Sequence, residues 1–340
     1  STEHENAYVI PSRRQRFELC DACSRAAGVA PANVEKDYWV CRTLYVLFAL
    51  PDLGRHLVFK GGTSLSKVFR LIERFSEDID VSFHRDFLGF GADRDPEAAS
   101  GKEQARRIEA LRNACTECIR ASLLPALKAK LLEELPSDQD WSIDIDAQDA
   151  QTILFHFPQA GSAGLSYIQP SVRIELGARS DHWPEARHEI RSILGESLGL
   201  PLGLATVWAL AAERTFWEKA TLLHAECHRD LSQPMPARYA RHYHDLARLA
   251  VSPVADAAIA DVDLRKRVVA HKTVYFRSKW ARYDLAEPST FRLVPPKERL
   301  AELEKDDASM QEMFFSAPPA MSDVLRTLTA LEEKIHDLPA

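Results

Sequence analysis

One segment constrains the fold of this chain more than any other: an apolar stretch ends in two glycines, and a helix and an acidic strand follow. Residues 56–60 (HLVFK) predict a strand that runs directly into the glycines. Residues 64–75 place apolar side chains at helical spacing, and residues 77–83 (EDIDVSF) alternate in polarity. The order strand, glycine turn, helix, strand predicts an α/β arrangement with Asp78 and Asp80 on one face of the second strand.

The glycine turn has the chemistry of an anion site. Gly61 and Gly62 let the backbone approach a ligand closely, and the free N–H groups of a helix start attract phosphate. The hydroxyls of Thr63 and Ser64 add two donors. The same four residues are also an ordinary way to begin a helix with a Ser or Thr cap, so the turn alone leaves both interpretations open.

Asp78 and Asp80 have the chemistry of a metal site. Two carboxylates on one strand face lie about 6.5–7 Å apart and repel each other unless water or a cation lies between them. Mg²⁺ is bound by one or two carboxylates together with substrate phosphates, and Mn²⁺ accepts the same donors. A solvated edge strand with alternating acids is the alternative. The nearby glycine turn favours the metal.

The rest of the chain predicts an α/β part followed by a helical part. Helical spacing precedes the glycine turn in residues 13–27 and 32–49, and residues 102–135 predict one or two further helices. Alternation predicts further strands at residues 141–146, 152–157 and 171–176. The second half is helical in spacing at residues 204–228, 237–250, 264–283, 297–314 and 321–335. We therefore predict an α/β (α+β) domain with a mixed sheet of about five strands over residues 1–185, followed by an all-α domain over residues 186–340.

Composition excludes several classes of protein. Hydrophobic residues make up 46% and charged residues 27% of the 340 residues, and the net charge of −7 excludes a histone-like polycation. The longest apolar run, residues 43–51, is too short to cross a bilayer, and residues 1–14 lack the apolar region of a signal peptide. Six cysteines are too few for a disulfide scaffold. We expect a cytoplasmic protein with no membrane partner.

Five motifs, in the same order, give the chain a family resemblance. They are residues 35–40 (EKDYWV), 59–67 (FKGGTSLSK), 76–82 (SEDIDVS), 213–219 (ERTFWEK) and 241–246 (RHYHDL). The glycine and aspartate motifs resemble the first motif of the DNA-polymerase-β-like nucleotidyltransferase superfamily. The full set resembles the AbiEii/AbiGii-type nucleotidyltransferase toxins of type IV toxin–antitoxin and abortive-infection systems, to which the MenT toxins are related.

The resemblance implies a nucleotidyltransferase core and assigns roles to individual residues. The implied nucleotide-binding residues are Gly61, Gly62, Thr63, Ser64, Lys67 and Lys219. Asp78 and Asp80 would hold Mg²⁺, and Asp245 would complete the site from the helical domain. From the sequence alone, Lys219 is equally a surface lysine, and Asp245 equally an ion-pair partner of Arg241 four residues earlier.

Enzymes of this superfamily usually have a third carboxylate on a later strand, and the sequence offers three. Glu175 lies among apolar residues in VRIEL, as a strand acid directed into a cleft would. Asp144 and Asp146 alternate similarly in WSIDID. We favour Glu175, and an exposed sheet face is the alternative for all three acids.

A basic segment with interleaved aromatic residues is the candidate surface for nucleic acid. Residues 265–299 carry ten Lys or Arg against three acids. The candidate RNA-binding residues in it are His271, Lys272, Arg277, Lys279 and Arg282, with Tyr275, Phe276, Trp280 and Tyr283 between them. Aromatic rings stack on bases while cations bind phosphates. An amphipathic helix with core aromatics and solvated cations is the alternative.

The predicted function is Mg²⁺-dependent transfer of a nucleoside monophosphate from an NTP to an acceptor, with release of pyrophosphate. The resemblance implies RNA, particularly the tRNA 3′ end, as the acceptor. It also implies growth arrest until a co-encoded antitoxin counteracts the enzyme. Nucleotidylation of a protein target, and a nucleotide- or RNA-binding module without turnover, are the alternatives.

Overall fold

Seven strands form one mixed sheet in the part of the chain that the computed structural model describes, residues 9–76, 78–135, 140–161 and 170–339. The strands are β1 (Leu57–Lys60), β2 (Asp78–Phe83), β3 (Ser142–Ile145), β4 (Thr152–His156), β5 (Ser171–Gly177), β6 (Glu185–Ile190) and β7 (Ala205–Leu210). Their order across the sheet is β3-β4-β5-β2-β1-β7-β6. At the centre, β2 is antiparallel to β1 and parallel to β5, and β1 is parallel to β7.

The α-helices of the described residues precede, interrupt and follow the strands. They are α1 (Arg13–Ala27), α2 (Pro31–Ala49), α3 (Gly61–Lys67), α4 (Gly101–Cys118), α5 (Leu124–Glu134), α6 (Ile193–Leu198), α7 (Ala212–Cys227), α8 (Ala240–Ala250), α9 (Pro253–Ala260), α10 (Val262–Tyr275), α11 (Leu300–Ser309) and α12 (Met321–His336). A π-helical turn over Ile119–Leu123 joins α4 to α5, and Pro125 follows it in the first turn of α5. No helix among the described residues combines the length and the apolar character that crossing a bilayer requires.

Backbone contacts divide the chain into two compact units. The first consists of Ser1–Val68 and Glu77–Leu210, and the second of Phe69–Ser76 and Ala211–Ala340. The first unit holds the sheet with α1 to α6, and the second is helical. The domain boundary predicted at residues 185 and 186 stays a prediction about independently folding domains, because contacts within one chain do not test independent folding.

The antiparallel pair of strands β6 and β7 corrects the sequence-based expectation of a helix over residues 204–228. Alternate side chains of β7 are buried, whereas Thr206 and Trp208 between them are exposed, so burial follows the period of a strand. The several alanines in this stretch are strong helix formers and hide that alternation. β7 pairs with β6 along its whole length, from Leu210 opposite Glu185 to Ala205 opposite Ile190, and this pairing favours the strand over the helix. The sheet is therefore larger than the predicted five strands.

Two predicted helices are shorter than their apolar spacing indicates. α3 ends at Lys67, and Arg70 takes a positive φ of 54° instead of continuing the helix. In the helical unit, Phe75 then donates its backbone N–H to the Met313 carbonyl at 2.6 Å. Similarly, α10 ends at Tyr275 instead of continuing to residue 283. Ile72 and Phe75, beyond the end of α3, are buried outside the helix, and helical spacing alone does not reveal such burial.

α2 is the central helix of the first unit and is buried along most of its length. Trp39 on this helix is fully buried and stacks on Phe157, with 5.8 Å between the ring centroids. The same helix buries charged side chains, which are stable there only with partners. Glu35, for example, accepts a 2.7 Å hydrogen bond from the Ala160 backbone N–H.

Asp37 joins α2 to two other elements. One carboxylate oxygen forms an ion pair with Lys67 at the end of α3, and the other accepts a 2.6 Å hydrogen bond from the Ile193 backbone N–H at the start of α6. The Asp37 and Lys67 side chains are at most 10% exposed. Because the pair is desolvated, removal of one partner leaves a buried charge without compensation.

Replacement of Asp37 by asparagine is expected to lower the free energy of unfolding by about 3–5 kcal/mol, because the buried Lys67 charge would lose its carboxylate. Chemical denaturation followed by circular dichroism measures the change. The matched control is Asp21→Asn, since Asp21 pairs with Arg25 on the exposed face of α1 and should contribute less than about 1 kcal/mol. Equal losses in the two variants would contradict a structural role for the Asp37–Lys67 pair.

Candidate active site

Three carboxylates meet on one face of the sheet in the first unit. Asp78 and Asp80 lie on β2, separated by one residue, and Asp80 is in register with Glu175 on the parallel neighbour β5. Side chains in register on neighbouring strands share a face, so all three acids face the same way. Glu175 interacts with Asp80, since it is one of the groups that raise the pKa of Asp80. The predicted aspartate pair is therefore part of a larger acidic cluster.

Gly61 provides the space that the Asp80 carboxylate occupies. Its φ is +79°, a conformation that favours glycine. A Cβ atom at this position would lie 2.3 Å from Asp80 Oδ2. The first glycine of the turn is therefore required by the approach of the carboxylate itself, whether or not a phosphate binds there.

Burial raises the pKa of Asp80 to about 6. Lys60, which is opposite Asp80 on β1, lowers this pKa, whereas Glu175 and Asp78 raise it further through repulsion. A carboxyl group with a raised pKa beside two others is in an arrangement that a divalent cation relieves. Three carboxylates supply only oxygen donors, a set that fits the hard cations Mg²⁺ and Mn²⁺.

The hydroxyl groups of the turn are both buried but differ in their partners. The Thr63 hydroxyl donates to the backbone carbonyl of Asp78 and so ties the start of α3 to β2. Ser64 Oγ is shielded from solvent and has no hydrogen-bond partner among the described residues. A phosphate oxygen is one acceptor that would satisfy such a group. The nucleotide contacts predicted for these residues, for Gly62 and for the ion-paired Lys67 stay predictions.

Glu175 is the acid that the structure brings to Asp80. Asp146 instead forms a 2.7 Å ion pair with Arg173, which also contacts Glu175 at 3.1 Å. Asp144 on β3 is exposed. The geometry therefore favours Glu175 among the three acids that the sequence offered, and its role as third carboxylate stays a prediction.

The second unit contains a buried cluster built on Asp245. Arg74 binds both carboxylate oxygens of Asp245, with Nε at 2.8 Å from Oδ1 and Nη2 at 2.7 Å from Oδ2. Lys219 on α7 places Nζ 3.0 Å from Asp245 Oδ2 and 3.2 Å from His242 Nδ1. Lys219 is only 7% exposed, so it is not a surface lysine. Two residues singled out by the sequence, Lys219 and Asp245, are thus in direct contact.

This cluster holds more positive than negative charge. Burial alone would raise the pKa of Asp245, but Arg74 and Lys219 together lower it below its usual value. Burial lowers the pKa of Lys219, and Asp245 opposes that shift. Burial and then Lys219 also lower the pKa of His242, which stays a neutral acceptor. Because one carboxylate faces two cationic side chains, the cluster is suited to an anionic ligand.

The basic segment is only partly a surface, which corrects the expectation for His271. His271 is 3% exposed and packs against Tyr275, with 4.8 Å between the ring centroids, so it belongs to the core. Arg282 is exposed but pairs with Asp284 at 2.9 Å. His271 is therefore not a surface cation, and contact of the exposed Arg282 with RNA stays a prediction.

The remaining part of the segment follows the end of α10. Lys272 lies over the ring of Phe276, with Nζ 4.6 Å from the ring centroid. Arg277 and Lys279 are exposed, as is Trp280. Lys272 is half-buried and the other four residues are exposed. Together the five form the exposed basic–aromatic patch, whose contact with RNA stays a prediction.

Three residues of the two charged clusters were missed by sequence reasoning. Lys60 becomes the neighbour of Asp80 only through the register of β1 and β2. Arg74 reaches Asp245 from 171 residues away in the chain. His242 is inside the RHYHDL motif, and its position there was the one available signal.

Asp80→Asn is expected to stabilise the metal-free protein at about pH 8. The folded-state pKa of about 6 is above the ordinary value of 3.8, so the contribution of Asp80 to stability is fully present below pH 3.8 and is lost as the pH rises through 6. The gain should be about 1–3 kcal/mol at about pH 8 and should disappear near pH 4. Thermal unfolding in a chelator at several pH values measures it.

Asp144→Asn is the control for this experiment, because it makes the same chemical change at an exposed strand position and should leave stability unchanged at both pH values. A loss of stability in Asp80→Asn at about pH 8 would contradict the raised pKa.

Comparison with known proteins places these clusters in a family. The family model described as nucleotidyl transferase AbiEii toxin, type IV toxin–antitoxin system, matches residues 42–334. Among solved structures, MenT4, a nucleotidyltransferase toxin from Mycobacterium tuberculosis H37Rv, is similar with a TM-score of 0.54. The match covers 94% of this chain and 90% of MenT4 at 19% sequence identity, and it shows a shared fold. No curated protein sequence matches the chain.

The family match confirms the resemblance inferred from the five motifs, and the structural match confirms the fold class, a mixed sheet with helices and a helical C-terminal part. Both the acidic cluster and the Asp245 cluster lie within residues 42–334. The chain is a nucleotidyltransferase and belongs to the AbiEii family of type IV toxin–antitoxin toxins.

Proposed function

We propose that this enzyme transfers a nucleoside monophosphate from an NTP to RNA, at the tRNA 3′ end, with Mg²⁺ or Mn²⁺ as cofactor. The observation that carries the proposal is the cluster of Asp78, Asp80 and Glu175 against the turn at Gly61. Carboxylate oxygens for a hard cation and backbone N–H groups for phosphate are thereby adjacent, and a metal–nucleotide complex requires both. Membership of the family supports an NTP as substrate.

In the proposed reaction, the oxygen of an acceptor hydroxyl forms a bond to the α-phosphorus of the NTP. The bond from that phosphorus to the bridging oxygen breaks, and pyrophosphate leaves. When bound, the metal supplies charge stabilisation and orientation, and Asp78, Asp80 and Glu175 are the residues that would hold it. We assign the proton that the acceptor hydroxyl releases to the ionised carboxylate of Glu175, which is in register with Asp80.

Lys219 and Arg74 are assigned to the negative charge of the triphosphate. Both are buried and both contact Asp245, which holds them in fixed positions with little freedom. Cations that are positioned before the reaction stabilise developing charge more effectively than mobile ones, because no reorganisation is needed. Asp245 is therefore a positioning residue in this proposal, and Arg74 joins the residues that the motifs had assigned.

RNA as acceptor is supported by the exposed basic–aromatic patch of the helical unit. Lys272, Arg277 and Lys279 supply cations, and Phe276 and Trp280 are 37% and 42% exposed, respectively. Exposed aromatic rings beside cations can stack on unpaired bases while the cations bind phosphates. We place the reaction in the cytoplasm, where modified tRNA 3′ ends would arrest growth until an antitoxin encoded with the toxin intervenes.

Incubation of the purified protein with Mg²⁺, each α-labelled NTP in turn and total tRNA is expected to label the tRNA. Asp78→Asn and Asp80→Asn should lower the rate by about a thousandfold or more, since a metal ion supplies several kcal/mol of transition-state stabilisation. Asp144→Asn, an exposed acid on the same sheet, should retain the rate.

Each other outcome of this assay contradicts a stated part of the proposal. Label in a protein band, and not in tRNA, would show that the acceptor is a protein. Binding of NTP without label in any acceptor would indicate a nucleotide-binding module without turnover. Label that persists unchanged in Asp80→Asn would remove the acidic cluster from the reaction.

Lys219→Met is expected to lower kcat/KM for the NTP by about a hundredfold, because a buried cation aimed at developing charge is lost. The melting temperature should not fall, since Arg74 still pairs with Asp245 and the burial cost of the ammonium disappears. Lys305→Met, at an exposed position on α11, is the matched control and should leave the rate unchanged. Equal rates in the two variants would exclude a catalytic contribution of Lys219.

A further inference from the structure

His84, His182 and Glu185 form another cluster in the first unit, and none of the three belongs to the acidic cluster or to the Asp245 cluster. His84 directly follows β2, His182 lies in the segment between β5 and β6, and Glu185 begins β6. One potential ligand atom from each residue lies within 4.8 Å of those of the other two. All three residues are half-buried, so the cluster is shielded but reachable by a small ion.

The distances suit a small cation with nitrogen and oxygen ligands. His84 Nε2 and Glu185 Oε2 are 3.3 Å apart. In a tetrahedral zinc site with bonds of about 2.0–2.1 Å, neighbouring ligand atoms are about 3.3–3.4 Å apart. The rings of His84 and His182 have 4.4 Å between their centroids, and one potential ligand atom of each lies within 4.8 Å of the other.

His182 supplies the second, independent observation. Its Nε2 atom is shielded from solvent and has no hydrogen-bond partner among the described residues. A buried polar atom of this kind requires an explanation, and an ion that binds there is one.

The charges around the cluster are mixed. Lys60 and Arg85 act on His182 as nearby positive charges, and Asp181 acts on it as a negative one. Glu185 adds a second carboxylate in contact with His84. Two acids therefore offset the two cations, and an incoming divalent ion meets little net repulsion.

We propose that His84, His182 and Glu185 bind a zinc ion, with water in the fourth position. Two imidazoles and one carboxylate are a common three-ligand set for zinc, and imidazole nitrogen favours Zn²⁺ over Mg²⁺. The site is distinct from the acidic cluster in its donors. His84 also lies four residues beyond Asp80, about 13 Å along an extended chain.

Bound zinc would fasten the segment between β5 and β6 to the end of β2. β6 is the edge strand, separated from β2 by β1 and β7, so this segment crosses several strands before β6 begins. A ligand that binds only the folded arrangement stabilises it by mass action. Zinc binding should therefore raise the stability of the first unit without contact with the nucleotide.

The test measures zinc on the whole protein, after removal of metal with a chelator and dialysis against a zinc buffer that contains excess Mg²⁺. We expect one zinc ion per chain by elemental analysis and a higher melting temperature than that of the zinc-free protein. His84→Gln, His182→Gln and Glu185→Gln should bind zinc roughly tenfold or more weakly, since even groups outside the ligand set change metal affinity by about 10–100-fold. His156→Gln, an exposed histidine at the end of β4, is the control and should bind as the unchanged protein does.

Cobalt provides a second measurement that does not depend on stability. Co²⁺ in place of zinc should give the visible absorption of a four-coordinate nitrogen and oxygen site, and His182→Gln should abolish it. The zinc-free variants should unfold at the same temperature as the zinc-free protein, which separates lost ligation from lost folding.

Three results would overturn the proposal. One is zinc uptake that is unchanged in His182→Gln, and another is uptake that disappears in the Asp78→Asn/Asp80→Asn double variant. The third is much less than one zinc ion per chain once the protein has been separated from free zinc. Because zinc binding is measured without NTP or RNA, failure of the nucleotide-transfer assay leaves this result unaffected, and the reverse also holds.

Discussion

The approach of the Asp80 carboxylate to the backbone at Gly61 is the contact on which the rest of the first unit's site depends. It requires a glycine with positive φ at the end of β1, and it brings Asp80 beside Glu175 and opposite Lys60. Thr63 completes the arrangement by donating to the Asp78 carbonyl. Local backbone freedom, strand register and one hydrogen bond thus combine to hold several acids together. Holding these acids together in a desolvated place disfavours their ionised forms, and the raised pKa of Asp80 reflects this.

The two charged clusters have opposite excess charges. In the first unit, the three acids outnumber the nearby Lys60 and Arg173, and in the second, Arg74 and Lys219 outnumber Asp245. Each excess charge is unfavourable within its own unit, since buried like charges repel. A metal–nucleotide complex carries both a cation and an anion, so its chemistry matches each cluster. This match supports the proposed reaction more directly than the family resemblance does, because it comes from the chain's own side chains.

The elements that the sequence predicted poorly share one physical cause. Residues 205–210 form a strand although they contain helix-forming alanines, because β6 supplies a pairing partner. Ile72 and Phe75, beyond Lys67, continue the helical spacing, but they are buried outside the helix, and Phe75 donates its backbone N–H to the distant Met313. His271, read as a surface cation, is in the core for the same reason. The spacing of apolar residues shows which of them share one face of an element, but it does not show which part of the chain packs against that face.

The sequence by itself determined the chemistry of the motifs. The first strand, the turn at Gly61 and the alternation of Asp78 and Asp80 all follow from local periodicity, which depends only on neighbouring residues. It also determined the family, because five motifs keep their order along the chain. Tertiary structure alone decided the partners: Glu175 beside Asp80, Arg74 on Asp245, and His84 with His182 and Glu185. Those contacts join residues far apart in sequence, and strand register and packing set them, which no local pattern encodes.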